Sequence, residues 1–295
     1  MNTSNFQTNN LPEIPENKPI LTNQYLTIKQ CKHGLVLYNR NDLFVGRSME
    51  LYGEWCEAEL HALGQLIHPG DVIIDVGANI GSHTLFFAQK VAPQGFVYAI
   101  EPQRLTFEIL CSNIALNALL NVIPHQVAVG DQSGEIIIPV LNPTSQQNFA
   151  ALNIEGHNDG DIVRIIPLDD LKLKRCNLIK IDVEGMELKV LHGAENTIRS
   201  HRPFLFIENN SKDGSPQTVQ ALFDLGYQCW WHIANYYNED NYFQNKENIF
   251  LQYAPEANMI CIPGELNINV SGFEAVKTPD DTWLQAVERM GLIKH

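Results

Sequence analysis

Acidic residues at the ends of short apolar runs are the first sign of chemistry in this sequence. The run Val72-Ile-Ile-Asp-Val is apolar except for Asp75, and it leads into Gly77, Asn79 and Gly81. Those residues tolerate positive φ or let another backbone come close, so the spacing predicts a buried parallel strand, a tight turn and a helix over 82–90. The free N–H groups of that helix would point across the strand ends, where a polar small molecule can bind. The next apolar run, over 96–100, ends on Glu101. One crossover after the first strand, this acid is placed to accept hydrogen bonds from two ribose hydroxyls. Pro102 follows it, so a helix-start role for the same carboxylate is equally compatible.

Further polar groups close later runs. Asp131 follows Gly130 beyond a third run, Asp182 follows Leu178-Ile-Lys-Ile, and Glu208 with Asn209 follows Phe204-Leu-Phe-Ile. In an open α/β sheet the ligand site lies beyond such carboxyl ends. Asp182, Glu208 and Asn209 together form an all-oxygen set suited to Mg²⁺; without a metal, Glu208 and Asn209 would bind hydroxyls of a second ligand. Lys180 shares a strand face with Asp182 by the two-residue period, so it either pairs with a carboxylate or approaches the site. Two side chains are candidate proton acceptors: Lys180, and His232 at the end of a run over 227–233, for which a hydrogen-bonded core role is the alternative.

The elements that must hold these residues follow from periodicity. A hairpin is expected over 25–38, a helix over 54–67 stopped by Pro69-Gly70, and a helix over 103–118. The third strand spans 122–129. Runs at 135–141 and 162–168 read as a pair extending the sheet edge, with a polar loop over 142–161 between them. Asp169-Asp170 reads as a capped turn. A helix over 186–200, a strand over 203–207, a helix over 216–225 and strands at 227–233 and 259–263 complete the sheet. The aromatic and amide-rich segment 234–258, including Asn248, reads either as a lid facing a polyhydroxylated ligand or as a loop packing its own aromatics. A last helix is capped by Thr278 and stopped by Gly291. The organisation expected is a flexible 1–22, an accessory hairpin over 23–53, a core over 54–263 and an extension over 264–295.

Composition narrows the ligand classes. The 295 residues carry 20 Lys+Arg against 34 Asp+Glu, a net charge of −14 that repels phosphate backbones and anionic membranes. No nucleic-acid partner is expected, and self-association stays open. The six cysteines are scattered without a C-x-x-C pair, which reads as reduced core thiols in a cytoplasmic protein. No apolar stretch approaches the roughly 20 residues needed to cross a bilayer, so no membrane insertion is expected.

The pattern acid-x-Gly-x-x-x-Gly resembles the first motif of class I S-adenosylmethionine (SAM) methyltransferases. A dinucleotide fingerprint starting at Gly77 would want Gly at 79 and near 82, where the chain has Asn79 and Ser82. The wider set, with Glu101-Pro-Gln, Leu168-Asp-Asp-Leu, Asp182-Val-Glu-Gly-Met-Glu, Ile207-Glu-Asn, Glu247-Asn-Ile-Phe and Asn258-Met-Ile-Cys-Ile-Pro, resembles the FkbM family of SAM-dependent methyltransferases over residues 50–263. The resemblance implies an α/β, Rossmann-like sheet of seven strands in the order 3-2-1-4-5-7-6 with helices on both faces, and methyl transfer to a hydroxyl of a small polar or glycosylated acceptor. It also implies that Asp75 and Gly77 hold the methionine part of SAM, Glu101 the ribose and Asp131 the adenine, with Asn79 and Gly81 also in the cofactor site. The metal set at the fourth and fifth strand ends is similar to that of catechol O-methyltransferase, with Glu208 standing where that enzyme has Asp. A catalytically silent SAM-binding protein and a nicotinamide oxidoreductase are the competing readings.

Overall fold

The computed structural model describes residues 15–150, 155–210, 214–268 and 270–291; most of the expected flexible lead-in lies outside them. Its centre is a mixed sheet of eight strands. From one edge the order is Val122–His125, Phe96–Ile100, Val72–Val76, Leu178–Ile181, Phe204–Glu208, Glu256–Pro263, Tyr227–Ala234 and Glu274–Ala275. The first five are parallel, and Glu256–Pro263 runs antiparallel to both neighbours. That is the order expected for seven strands. The eighth, a two-residue strand paired with Trp230 and Trp231, extends the edge that the sequence left open.

Strand parity splits the core into two layers. Ile74, Val76, Ile179, Ile181, Leu205 and Ile207 pack under the helices Glu187–Gly193, Glu195–His201, Ser215–Asp224 and Trp283–Arg289. Ile73, Val97, Ala99, Leu178 and Phe206 pack under Glu57–Leu63, Ser82–Val91 and Arg104–Leu116. Strands buried on both faces read as continuous apolar runs, which is why they were legible. Asp75 and Lys180 share the second layer as direct cross-strand partners.

Several elements depart from expectation. Pro124 cannot donate to a ladder and is tolerated because Val122–His125 is the edge strand. The chain then leaves the sheet, and Ala128–Val129 joins Asp161–Ile166 and Gly134–Ile138 in a separate three-stranded sheet. The expected edge extension is therefore a second, small sheet. The helix expected over 186–200 breaks at Ala194, where Gly193 presses so closely on the Gly130 carbonyl that a Cβ would lie 2.0 Å from its oxygen. The Asp169 carboxylate caps the second piece, accepting from the Asn196 and Thr197 amides at 3.0 and 2.8 Å. The last helix starts four residues later than expected, with Thr282 and Gln285 forming a reciprocal capping box.

The N-terminal element is more than a hairpin. Leu26–Cys31 pairs with Gly34–Asn39 on one side and a short Leu21–Thr22 strand on the other, and a helix, Val45–Leu51, follows. Asn113 and Asn117, one turn apart on the Arg104–Leu116 helix, bond the amides and carbonyls of Leu37 and Leu35. Alternate residues on a strand present the same edge, so two asparagines at helical i,i+4 spacing complete the ladder a neighbouring strand would have made. Among the described residues no helix is long and apolar enough to cross a membrane.

Candidate active site

The turn after Val72–Val76 is shaped by backbone demands. Gly77 and Gly81 have φ of +80° and +90°, and Asn79 sits at +50°. A Cβ on Gly77 would come within 1.7 Å of the Asp182 carbonyl oxygen, so only glycine lets the two strand ends meet. Glu101, 7% exposed, takes the Asn79 amide on Oε2 at 3.0 Å and the Gln103 amide on Oε1 at 2.9 Å. Each oxygen keeps a lone pair. Burial pushes this carboxyl up to about 7, against the two amides that favour its charge.

Glu101 stands where two cavities meet. One is walled by Ile100, Val127, Val129, Phe149 and Met186. The other is walled by Trp55, Glu59, His83, Lys180, Glu208 and Glu256. Gly77, Asn79, Glu101, Ala150, Asp182 and Glu184 line both, which makes one cleft with an apolar end and an acid-rich end.

The acid-rich end sorts its charges. Lys180, 2% exposed, bonds Asp182 Oδ2 at 2.9 Å and lies 3.8 Å from Asp75 Oδ1. Burial alone would lower its pKa, but Asp182 and Asp75 outweigh that and raise it. Asp182 is likewise opposed by burial and held below the usual carboxylate range by Lys180. The remaining acids move the other way. Burial, with the Asp182 and Glu187 charges, pushes Glu184 up to about 8. Burial and the neighbouring acids raise Glu208 and Glu256 well above the usual carboxylate range. Ligand atoms of Asp182, Glu184 and Glu208 lie within 4.8 Å of one another.

A family model described as "Methyltransferase FkbM domain" matches residues 75–229, more than half of the chain. The chain belongs to this family. The chain is similar to the hexuronic acid methyltransferase AglP of Haloferax volcanii, 33% identical over 44% of this chain and 52% of its own length. The 31-O-demethyl-FK506 methyltransferase FkbM of Streptomyces tacrolimicus is 28% identical over 54% of this chain and 73% of its own. The chain thus spans about half the length of the first of these. Among solved structures, the methyltransferase FkbM of Methylobacillus flagellatus KT aligns at 19% identity over 70% of this chain and 50% of that one, with a TM-score of 0.45.

Within this FkbM-family cleft the expected residues divide. Gly77, Asn79, Glu101, Lys180, Asp182 and Glu208 line it. Asp75 does not. It lies one residue short of the strand end, so its side chain turns onto the helix-covered face, where it accepts from Thr84 Oγ1 at 2.6 Å. Gly81 starts the helix and packs on Leu110. Asp131 is exposed outside the cleft, because the chain has already left the main sheet at Ala128. Asn209 is turned away and donates to Met259 Sδ at 3.4 Å, so Glu184 takes its place in the oxygen cluster. Asn248 accepts the Phe250 amide in a local turn.

The two proton acceptors also fail on geometry. His232 is 4% exposed, reaches the Ala58 carbonyl at 3.2 Å and sits against Phe206 and Phe273; it is a core histidine whose pKa burial lowers. Lys180 stays an ammonium and has no lone pair to offer. The segment 235–255 is pinned to the N-terminal element, with the Tyr242 amide and Asn238 Nδ2 on Glu54 and Tyr52 Oη on the Glu247 carbonyl. Within it Phe250 packs on Tyr236 and Tyr253, which realises the self-packing alternative, and Tyr236 also stacks on Trp55 and meets Phe44 edge-on. Glu59, His83 and Glu256 line the acid-rich end without any signal of their own in the sequence, since each reaches it from a different element.

Proposed function

We propose that this chain transfers a methyl group from SAM to a hydroxyl of a small polar or glycosylated acceptor. The observation that carries the reading is the two-ended cleft joined at Glu101. The residues present fit SAM: Glu101 has two free lone pairs for two ribose hydroxyls, beside an apolar wall suited to a purine and an acidic floor suited to a cation. SAM supplies an electrophilic methyl carried on a sulfonium. The chain's residues supply position: Glu101 and the Gly77 turn fix the cofactor, and the acid-rich end holds the hydroxyl in line with the methyl. Hexuronic acid and 31-O-demethyl-FK506, the acceptors of the two curated relatives, support a hydroxylated small molecule.

Thermal-shift scans with SAM, its demethylated product and NAD test the cofactor, and turnover on a panel of hydroxylated sugars tests the reaction. Stabilisation by NAD alone overturns the proposal, and SAM binding with no turnover favours a silent binding protein. A second reading of the acid-rich end is a divalent cation on Asp182, Glu184 and Glu208, favoured by their 4.8 Å grouping. Full turnover in excess chelator, with metal content confirmed negligible, overturns it.

A further inference from the structure

Methyl transfer to a hydroxyl leaves a proton to be placed, and the acid-rich end holds an imidazole that neither the motif nor the family match singles out. We propose that His83 takes that proton, held by Glu59 and, through Glu59, by Asn258. The inference rests on the methyl-transfer reading above.

Geometry carries it. His83 is the second residue of the Ser82–Val91 helix, and its ring forms part of the wall of the acid-rich cavity. Its Nε2 lies 2.9 Å from Glu59 Oε2, and Glu59 Oε1 accepts from Asn258 Nδ2 at 3.0 Å. Histidine, glutamate and asparagine are 5%, 4% and 3% exposed, and they come from two helices and a strand. A carboxylate on Nε2–H fixes the tautomer, leaves the lone pair on Nδ1 and stabilises the imidazolium once formed. Asn258 fixes the carboxylate in turn. A pair serving only to join two helices has no need to form a cavity wall beside Asp182.

The step balances without another reactant. The acceptor oxygen forms its bond to the methyl carbon as the sulfur–carbon bond breaks and its electron pair returns to sulfur. The hydroxyl proton passes to His83 and then to solvent. The charged and titratable groups sharing the cavity are Glu59, Cys56, Lys180, Asp182, Glu184, Glu208, Glu256 and Glu101. Of these, Lys180 holds its protons, and Asp182 is held ionised by Lys180.

The test compares wild type, His83→Gln and Glu59→Gln with SAM saturating and a methylatable acceptor, reading kcat against pH, SAM affinity and melting. His83→Gln is expected to lower kcat by about 10²–10⁴-fold, to keep SAM affinity within about twofold of wild type, and to abolish the acidic limb of the profile. Glu59→Gln keeps the hydrogen bond but not the charge, so the limb should survive and move to lower pH, because the imidazolium loses its counter-charge. If His83→Gln does not fold, the Glu59→Gln limb decides alone. A folded His83→Gln with wild-type kcat and profile, or a limb unmoved in Glu59→Gln, overturns the assignment and leaves methyl transfer standing. Wild type that binds SAM but methylates no acceptor overturns both.

Discussion

The two ends of the cleft are built on opposite principles. At the cofactor end, an apolar wall meets a carboxylate fixed by backbone amides: Glu101 is held by Asn79 and Gln103, and the turn is held by glycines whose φ is positive. At the acid-rich end, side chains hold side chains: Lys180 bonds Asp182, and Glu59 bonds His83 and Asn258. Backbone geometry tolerates almost no substitution and leaves a local signature. A side-chain network can be rebuilt residue by residue and leaves none.

Gly77→Ala should break the comparison most severely, since Gly77 belongs to both ends and its Cβ would collide with the Asp182 carbonyl. A loss on the order of 3–5 kcal/mol is expected, seen as a melting point lowered by roughly 10 °C. An unchanged melting curve would mean the strand ends are not in contact.

Glu101→Ala sharpens the contrast by removing the carboxylate where the two ends meet. SAM affinity should fall by about 1–3 kcal/mol in a folded protein, through lost charge-assisted hydrogen bonds. The wild-type pH response gives a second check. Ribose hydroxyls donate to the carboxylate form, and the carboxyl titrates at about 7, so binding must release a proton below that pH. Affinity should therefore weaken roughly tenfold from pH 8 to pH 6, and that dependence should be missing in Glu101→Gln. Calorimetric titration at the two pH values would refute the ribose role if both proteins responded alike.

Asp131→Ala should do the least. Its side chain is exposed outside the cleft, so SAM affinity and melting should match wild type. A tenfold weakening would put the adenine somewhere other than the Val127–Val129 wall.

The same contrast explains what could be read in the sequence. The core strands were legible as largely apolar runs, and their order came from the family resemblance. The Lys180–Asp182 pair was legible because strand period puts them on one face, and Glu101 because a crossover brings it beside Asn79. Asp75 misled because being acidic and near a strand end does not say which face a side chain takes; one residue of parity sent it to Thr84. Asp131 misled because Pro124 and Gly130 mark a strand that leaves the sheet, which periodicity alone does not show. His83, Glu59 and Glu256 were invisible because their meeting depends on how two helices and a strand pack. Tertiary packing assembles the acid-rich end, and no window of sequence contains it.

A crystal structure with the demethylated cofactor product bound tests the central claim most directly. The account predicts both ribose hydroxyls on Glu101, the adenine against Val127–Val129 and Met186, and the sulfur turned toward Asp182 and His83. A nucleoside lying in the acid-rich end, with Glu101 bonded only to Asn79 and Gln103, would contradict it.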